Sequence, residues 1–178
     1  MEIPSELLKD VFSNNRIVYA SLPITTGWRY FAWLQNAANP ADKIAHYENV
    51  VLPNIESGRL AIAKLRRRLR CTVIDPTQLE NIKLDWPQER YYQFWDVIIK
   101  EVAREIVFLD GWEFSTGCCH ELLSALEAKK AIYNQAHELL SVYQAKNLID
   151  KSQAVYREAG IPNEKLIQIC QRLDDYLQ

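Results

Sequence analysis

Glycine is scarce in this chain: five residues of 178, about 3% where roughly 7% is usual. None of the five falls into G-x-G-x-x-G or G-x-x-x-x-G-K-[ST], so the two commonest phosphate-cradling loops are excluded. Cysteine is sparse as well. Four residues, Cys71, Cys118, Cys119 and Cys170, are too few for a disulfide scaffold and show neither C-x-x-C pairs nor zinc-type His spacings, so reduced thiols and no metal or other cofactor are expected. No run approaches the roughly 18–20 apolar residues of a membrane span, and Met1–Phe12 lacks the basic start and apolar stretch of a signal peptide. A cytoplasmic protein without a membrane partner is the expectation. Neither charge sign dominates: 21 Lys+Arg against 23 Asp+Glu leave a net charge of -2, so no global field draws nucleic acid, and none is expected as a partner. What remains, 48% apolar with 25% charged residues, is the profile of one globular domain over residues 1–178.

The pattern alternates strands and helices. Arg16–Leu22, rich in β-branched and aromatic residues, reads as a buried strand ending at Pro23. Helical spacing follows over Trp28–Ala38, a further turn or helix over 41–51, and a helix over Asn54–Leu69 with Leu60, Ile62, Ala63, Leu65 and Leu69 as its mostly buried stripe. Cys71–Ile74 is the second strand, residues 75–87 a long connection, Gln88–Val102 a helix and Glu105–Leu109 a nearly all-apolar third strand. Gly117–Lys130 reads as a helix and Ala131–Tyr133 as the fourth strand, before helices at about 136–158 and 163–177. Strands too apolar to face water, alternating with helices, predict an α/β fold: a short parallel sheet with helices on both faces, Rossmann-like or flavodoxin-like, followed by a helical C-terminal extension. Ligands of such sheets bind beyond the carboxyl ends of the strands, which selects 19–27, 75–86 and 110–121.

The third segment carries most chemistry. In Asp110-Gly-Trp-Glu-Phe-Ser-Thr-Gly-Cys-Cys-His-Glu121 a helix opens after a buried strand, so backbone N–H groups near Ser115, Thr116 and Gly117 can converge on an anion. A helix cap by Ser115 or Thr116 explains the same residues without a ligand. Glu121 sits about one turn into a helix among apolar neighbours, which directs it toward the cleft, although the helix dipole alone also favours a Glu there.

Three segments together, Val18-Tyr-Ala-Ser-Leu-Pro-Ile-Thr25, Asp96, and Gly111-Trp-x-x-Ser-x-Gly-x-x-x-Glu121, resemble the nucleoside 2-deoxyribosyltransferase superfamily. The branch most resembled is that of the deoxynucleoside monophosphate N-glycosidases, together with a related bacterial and phage family of unknown function. The resemblance covers about residues 16–134 and leaves 135–178 as an extension. It implies cleavage or transfer at the N-glycosidic bond of a nucleotide or nucleoside, without a cofactor, in a homo-oligomer. By position Glu121 matches the catalytic nucleophile and Tyr19 the residue that orients it. Asp96 matches an Asp that contacts the sugar or assists departure of the base, a task suited to a carboxyl of raised pKa. Ser115 matches a phosphate-binding serine, with Trp112, Thr116 and Gly117 of the same signature beside the substrate. Ser141 matches a second phosphate serine supplied by a neighbouring subunit. The chain departs from the family at Arg104, where an Asp is usual, and at Leu22-Pro23, where a Gly is common. A second reading keeps the fold and loses the reaction: a nucleotide-binding or scaffold protein.

Other signals carry less. His120-Glu-Leu-Leu-Ser124 and His137-Glu-Leu-Leu-Ser141 lack the second His of a zinc protease. Cys118-Cys119 reads as packing rather than as a reactive thiol. The basic run Lys64–Arg70, interrupted by Leu65 and Leu69, reads as a solvated helix face. Aromatic clusters at 28–33 and 91–95 supply core, with some rings left for an interface or for stacking a base.

Overall fold

The computed structural model describes residues 16–82 and 86–177; Met1–Phe12 and the 83–85 stretch of the expected connection lie outside them. Four strands, β1 (Ile17–Ser21), β2 (Thr72–Ile74), β3 (Glu105–Phe108) and β4 (Ala131–Tyr133), form one parallel sheet in the order β2-β1-β3-β4. Between them run α1 (Trp28–Asn36), α2 (Lys43–His46), α3 (Leu52–Leu69), α4 (Gln88–Val97) and α5 (Thr116–Glu127), and the chain ends with α6 (Val142–Glu158) and α7 (Glu164–Leu177). The fold is α/β, of the Rossmann or flavodoxin-like type, with C-terminal helices. Among the described residues no helix is long and apolar enough to cross a membrane.

β1 is buried at all five positions, as a central strand covered on both faces must be. Its alternation divides the core. Val18 and Ala20 point to a small cluster with Val73, Val107, Ile62 and Leu65, closed by α3. Tyr19 points to a larger one with Ile106, Phe108, Leu122 and Ile149. The helical extension belongs to that larger core, into which Ala145, Leu166, Ile169 and Leu173 pack. Local signals set the helix ends: Asp42 caps α2, Ser115 caps α5, and Ser141 with Gln144 forms a capping box on α6. Wider π-type turns, Tyr47–Val51 and Ile98–Val102, join α2 to α3 and lengthen α4.

Two expectations are corrected. The first C-terminal helix starts at Val142 rather than near 136, because His137 adopts φ 58° and Leu140 donates its N–H to Ile132 O at 2.9 Å. Residues 134–140 thereby fold back along the edge strand β4, which removes it as an open edge. The second His-Glu-Leu-Leu-Ser segment is therefore a loop, whereas the first is helical. In α3 the buried stripe is Asn54, Ile55, Gly58, Ile62 and Leu65, while Leu60 is 67% exposed. Gly58 accounts for the rotation: a Cβ there would stand 2.0 Å from Leu22 Cδ1, so α3 packs against Leu22, just beyond β1, through the residue without a side chain.

This orientation of α3 predicts that Ile62→Ala costs about 2–5 kcal/mol whereas Leu60→Ala changes stability by less than about 0.5 kcal/mol, measured by urea unfolding. Equal losses would place Leu60 in the core.

Candidate active site

β1 and β3 are neighbours whose connections leave in opposite directions, which makes the crevice at their carboxyl ends the topological switch point. Residues of both strands and of α5 meet there. Tyr19 and Ser21, two apart on β1, project from the same face. The Tyr19 hydroxyl donates to Glu121 Oε1 at 2.7 Å and the Ser21 hydroxyl to Glu121 Oε2 at 2.6 Å. Both oxygens of the carboxylate are thus held by hydroxyls of the central strand. Tyr19 and Ser21 are fully buried, while Glu121 keeps part of its surface accessible. Burial pushes the Glu121 carboxyl up to about 7, against the pull of the Ser21 and Tyr19 hydroxyls and of neighbouring His120. Burial also raises the Tyr19 phenol, with the Glu121 charge adding to it, so Tyr19 stays a hydrogen-bond donor.

Asp96, on α4, reaches the same face of α5. It accepts a short hydrogen bond from the Ser124 hydroxyl, and His120 Nε2 lies 3.3 Å from its Oδ1. That contact is within ion-pair range but off the direction of a hydrogen bond, and Nε2 is buried without another partner. His120 and Ser124 stand one turn apart. Burial alone would raise the Asp96 carboxyl, but His120 and Ser124 together hold it below its ordinary value. This corrects the expectation of a raised pKa. The Tyr92 ring lies over His120, with centroids 4.5 Å apart.

Ser115 caps α5, accepting from Cys118 N at 3.4 Å, and its hydroxyl meets Thr26 Oγ1 at 2.9 Å. The 23–27 loop is thereby tied to the start of α5. The first-turn N–H groups of Thr116 and Gly117 have no acceptor within the helix. A Cβ at Gly117 would meet only Ser115 Oγ, at 3.8 Å, so the space before this turn is open. Trp112 does not line it. Its ring is 3% exposed, packed on Phe108 at 4.6 Å, because the 3-10 turn Trp112–Phe114 folds it into the core. Ser141 lies apart too: Leu140 is bonded to Ile132, which puts Ser141 toward the amino end of β4, away from the crevice in its own chain. Cys118 and Cys119 are buried, and burial raises both thiols. Arg104, the first departure from the family pattern, precedes β3 and donates its N–H to Ile17 O at 2.9 Å, at the opposite end of the sheet. Leu22, the second, belongs to the α3-side cluster.

The structure therefore joins Glu121 with Tyr19, places Asp96 beside them, and keeps Ser115, Thr116 and Gly117 at the rim. Ser21 is not singled out by the sequence reading, and His120 and Ser124 enter it only as ends of an incomplete zinc-protease motif. For Ser21 a signal existed: in a strand, the residue two beyond Tyr19 shares its face. The class this defines is an α/β switch-point site built on a clamped carboxylate. No family model, curated protein or solved structure matches the chain.

A carboxyl whose folded pKa stands above its ordinary value favours the folded state while protonated, so wild-type stability declines as pH rises from about 4.5 to 7. Glu121→Gln removes the buried charge. It is expected to stabilise the protein by about 1–3 kcal/mol at pH 8 and by little at pH 4.5, measured by thermal unfolding; a gain independent of pH would contradict the assignment.

Proposed function

We propose that the protein cleaves or transfers at the N-glycosidic bond of a nucleotide or nucleoside, with Glu121 as nucleophile and a 5′-monophosphate as the preferred substrate. The observation that carries this reading is the double clamp on Glu121. Two hydroxyl donors fix the carboxylate plane and stabilise its ionised form, and a partly accessible surface leaves it open to attack a carbon. In the proposed reaction a Glu121 oxygen bonds to the anomeric carbon as the bond to the base nitrogen breaks. The departing base takes the electron pair and a proton from water, and the hydroxide so formed neutralises the proton that the incoming water or base releases when it attacks the ester. Water, or a second base in the transfer reaction, then displaces the carboxylate from the ester and regenerates it. Asp96, held ionised, suits the role of acceptor for a sugar hydroxyl rather than that of proton donor. The open turn at Thr116 and Gly117, beside a neutral Ser115, supports a phosphate there. The proposal includes a homo-oligomer, supported by exposed Ile44 and half-exposed Tyr47. A role for Ser141 then comes from a neighbouring subunit.

The test is chromatographic detection of free base from a panel of nucleosides and nucleoside 5′-monophosphates. Release from monophosphates is expected, lowered by a factor of about 10³ or more in Glu121→Ala. Because the nucleophile must be ionised, kcat/KM should rise with pH through about 7 and level off above it. Ser21→Ala removes a donor to the ionised form, so it should move that limb to higher pH. No release from any member at any pH would reject the reading.

A further inference from the structure

A wide opening among the described residues does not contain Glu121. A cavity of about 1070 Å³ lies on the other side of β1, between α3 and the loop that follows β3. Leu22 and Leu109, the residues just beyond the carboxyl ends of β1 and β3, form its floor, so it opens at the same switch point as the Glu121 site but toward α3. We propose that this cavity is a second ligand site and that its ligand is a dinucleotide joined through a pyrophosphate.

Three features point to that class. The first is a row of cations. Arg29, Lys64 and Arg68 all line the cavity. Arg29 is placed by its bond to Ser57 Oγ at 3.4 Å, and Arg68 by its bond to Gln135 O at 3.1 Å. Ser57, Lys64 and Arg68 follow one side of α3 over about 16 Å of helix, a wall long enough for a ligand that extends beyond its phosphates on either side. The second feature is an aromatic end. The half-exposed Trp28 lines the cavity with Phe114 set against it edge to face at 5.0 Å, a stacking surface for a base. The third is the facing wall, where Asp110 and Glu113 stand. Asp110 Oδ2 accepts from Gln135 Nε2 at 2.7 Å. Burial, reinforced by Asp110, holds the Glu113 carboxyl above its ordinary value.

These carboxyl groups decide between anions. Along a nucleic-acid strand phosphates recur at every step, and two acidic side chains opposite the cation row would repel them. A dinucleotide concentrates its charge at one pyrophosphate and presents ribose hydroxyls on either side, which carboxyl groups hold well. The opening has room for a ligand larger than a mononucleotide, since pockets of roughly 300–1,000 Å³ enclose whole drug-sized ligands. The basic run of α3 is then divided by function: Lys64 and Arg68 face the cavity, while exposed Arg67 does not line it.

The inference stands on this cavity alone and does not require the glycosidase reading. Calorimetric titration of the full chain carrying Glu121→Gln, which prevents turnover, would use nicotinamide adenine dinucleotide, adenosine 5′-monophosphate and inorganic pyrophosphate as probes. The dinucleotide is expected to bind at least tenfold more tightly than either smaller probe. Lys64→Glu with Arg68→Glu should weaken it at least tenfold, Trp28→Ala should weaken it by a similar factor, and Arg67→Glu should leave it unchanged. Circular dichroism would verify that the variants fold. Equal affinity for all three probes, no binding of the dinucleotide, or a folded Lys64/Arg68 double variant that binds like its parent would each overturn the proposal.

Discussion

A strand buried on both faces must satisfy every polar group it carries, and β1 carries two hydroxyls on its α5 side. Tyr19 and Ser21 have no water to turn to, and Glu121 accepts from both. This pair of bonds ties α5 to the middle of the sheet and fixes which face of that helix looks inward. It also raises an energetic conflict. The carboxylate that satisfies the hydroxyls is itself held in a poorly solvated place, and burial lifts its pKa to about 7. Such a tension between satisfied donors and a costly charge is common where a group is kept for its reactivity rather than for stability.

The same strand gives the molecule two unlike openings at one switch point. Toward α5 the switch point is organised around carboxylates, with Asp96 held by Ser124 and close to His120. Toward α3 it is wide, basic along one wall and acidic along the other. The loops that divide them are fixed to each other and to the helices. Thr26 meets Ser115, and Asn54 donates to Ile24 O at 3.0 Å and to Thr26 O at 3.1 Å. Gly27, at φ 95°, lets the chain turn into α1 where a Cβ would stand 2.5 Å from Pro23 Cβ. The rim of both openings is thus a single braced structure.

Much of the fold was legible because its signals are local. Val18 and Ile106 lie in short strands that are mostly apolar on both faces, and such strands are buried between two layers. Asp110-Gly111 and Ser115 marked a turn and a cap where the structure has them. Leu60 and the stretch 136–141 were misread for one reason: helical spacing identifies a periodic apolar set but not which partner that set meets. Gly58 rotates α3 against Leu22, a contact distant in sequence, and the edge of β4 draws 134–140 back along it by backbone pairing that apolar spacing does not show.

By itself, the sequence determined the order of strands and helices, the parallel sheet they must form, and the position of Glu121 near the start of a helix after the third strand. These follow from periodicity, capping and the requirement that apolar strands be covered, all of which act over a few residues. Tertiary structure alone decided that Ser21 shares Glu121 with Tyr19, that Asp96 is held ionised, that Trp112 is core, and that the basic side of α3 faces a cavity. Each depends on the distance between segments far apart in the chain. Hydrogen bonding and desolvation are set by that distance, and no local pattern encodes it.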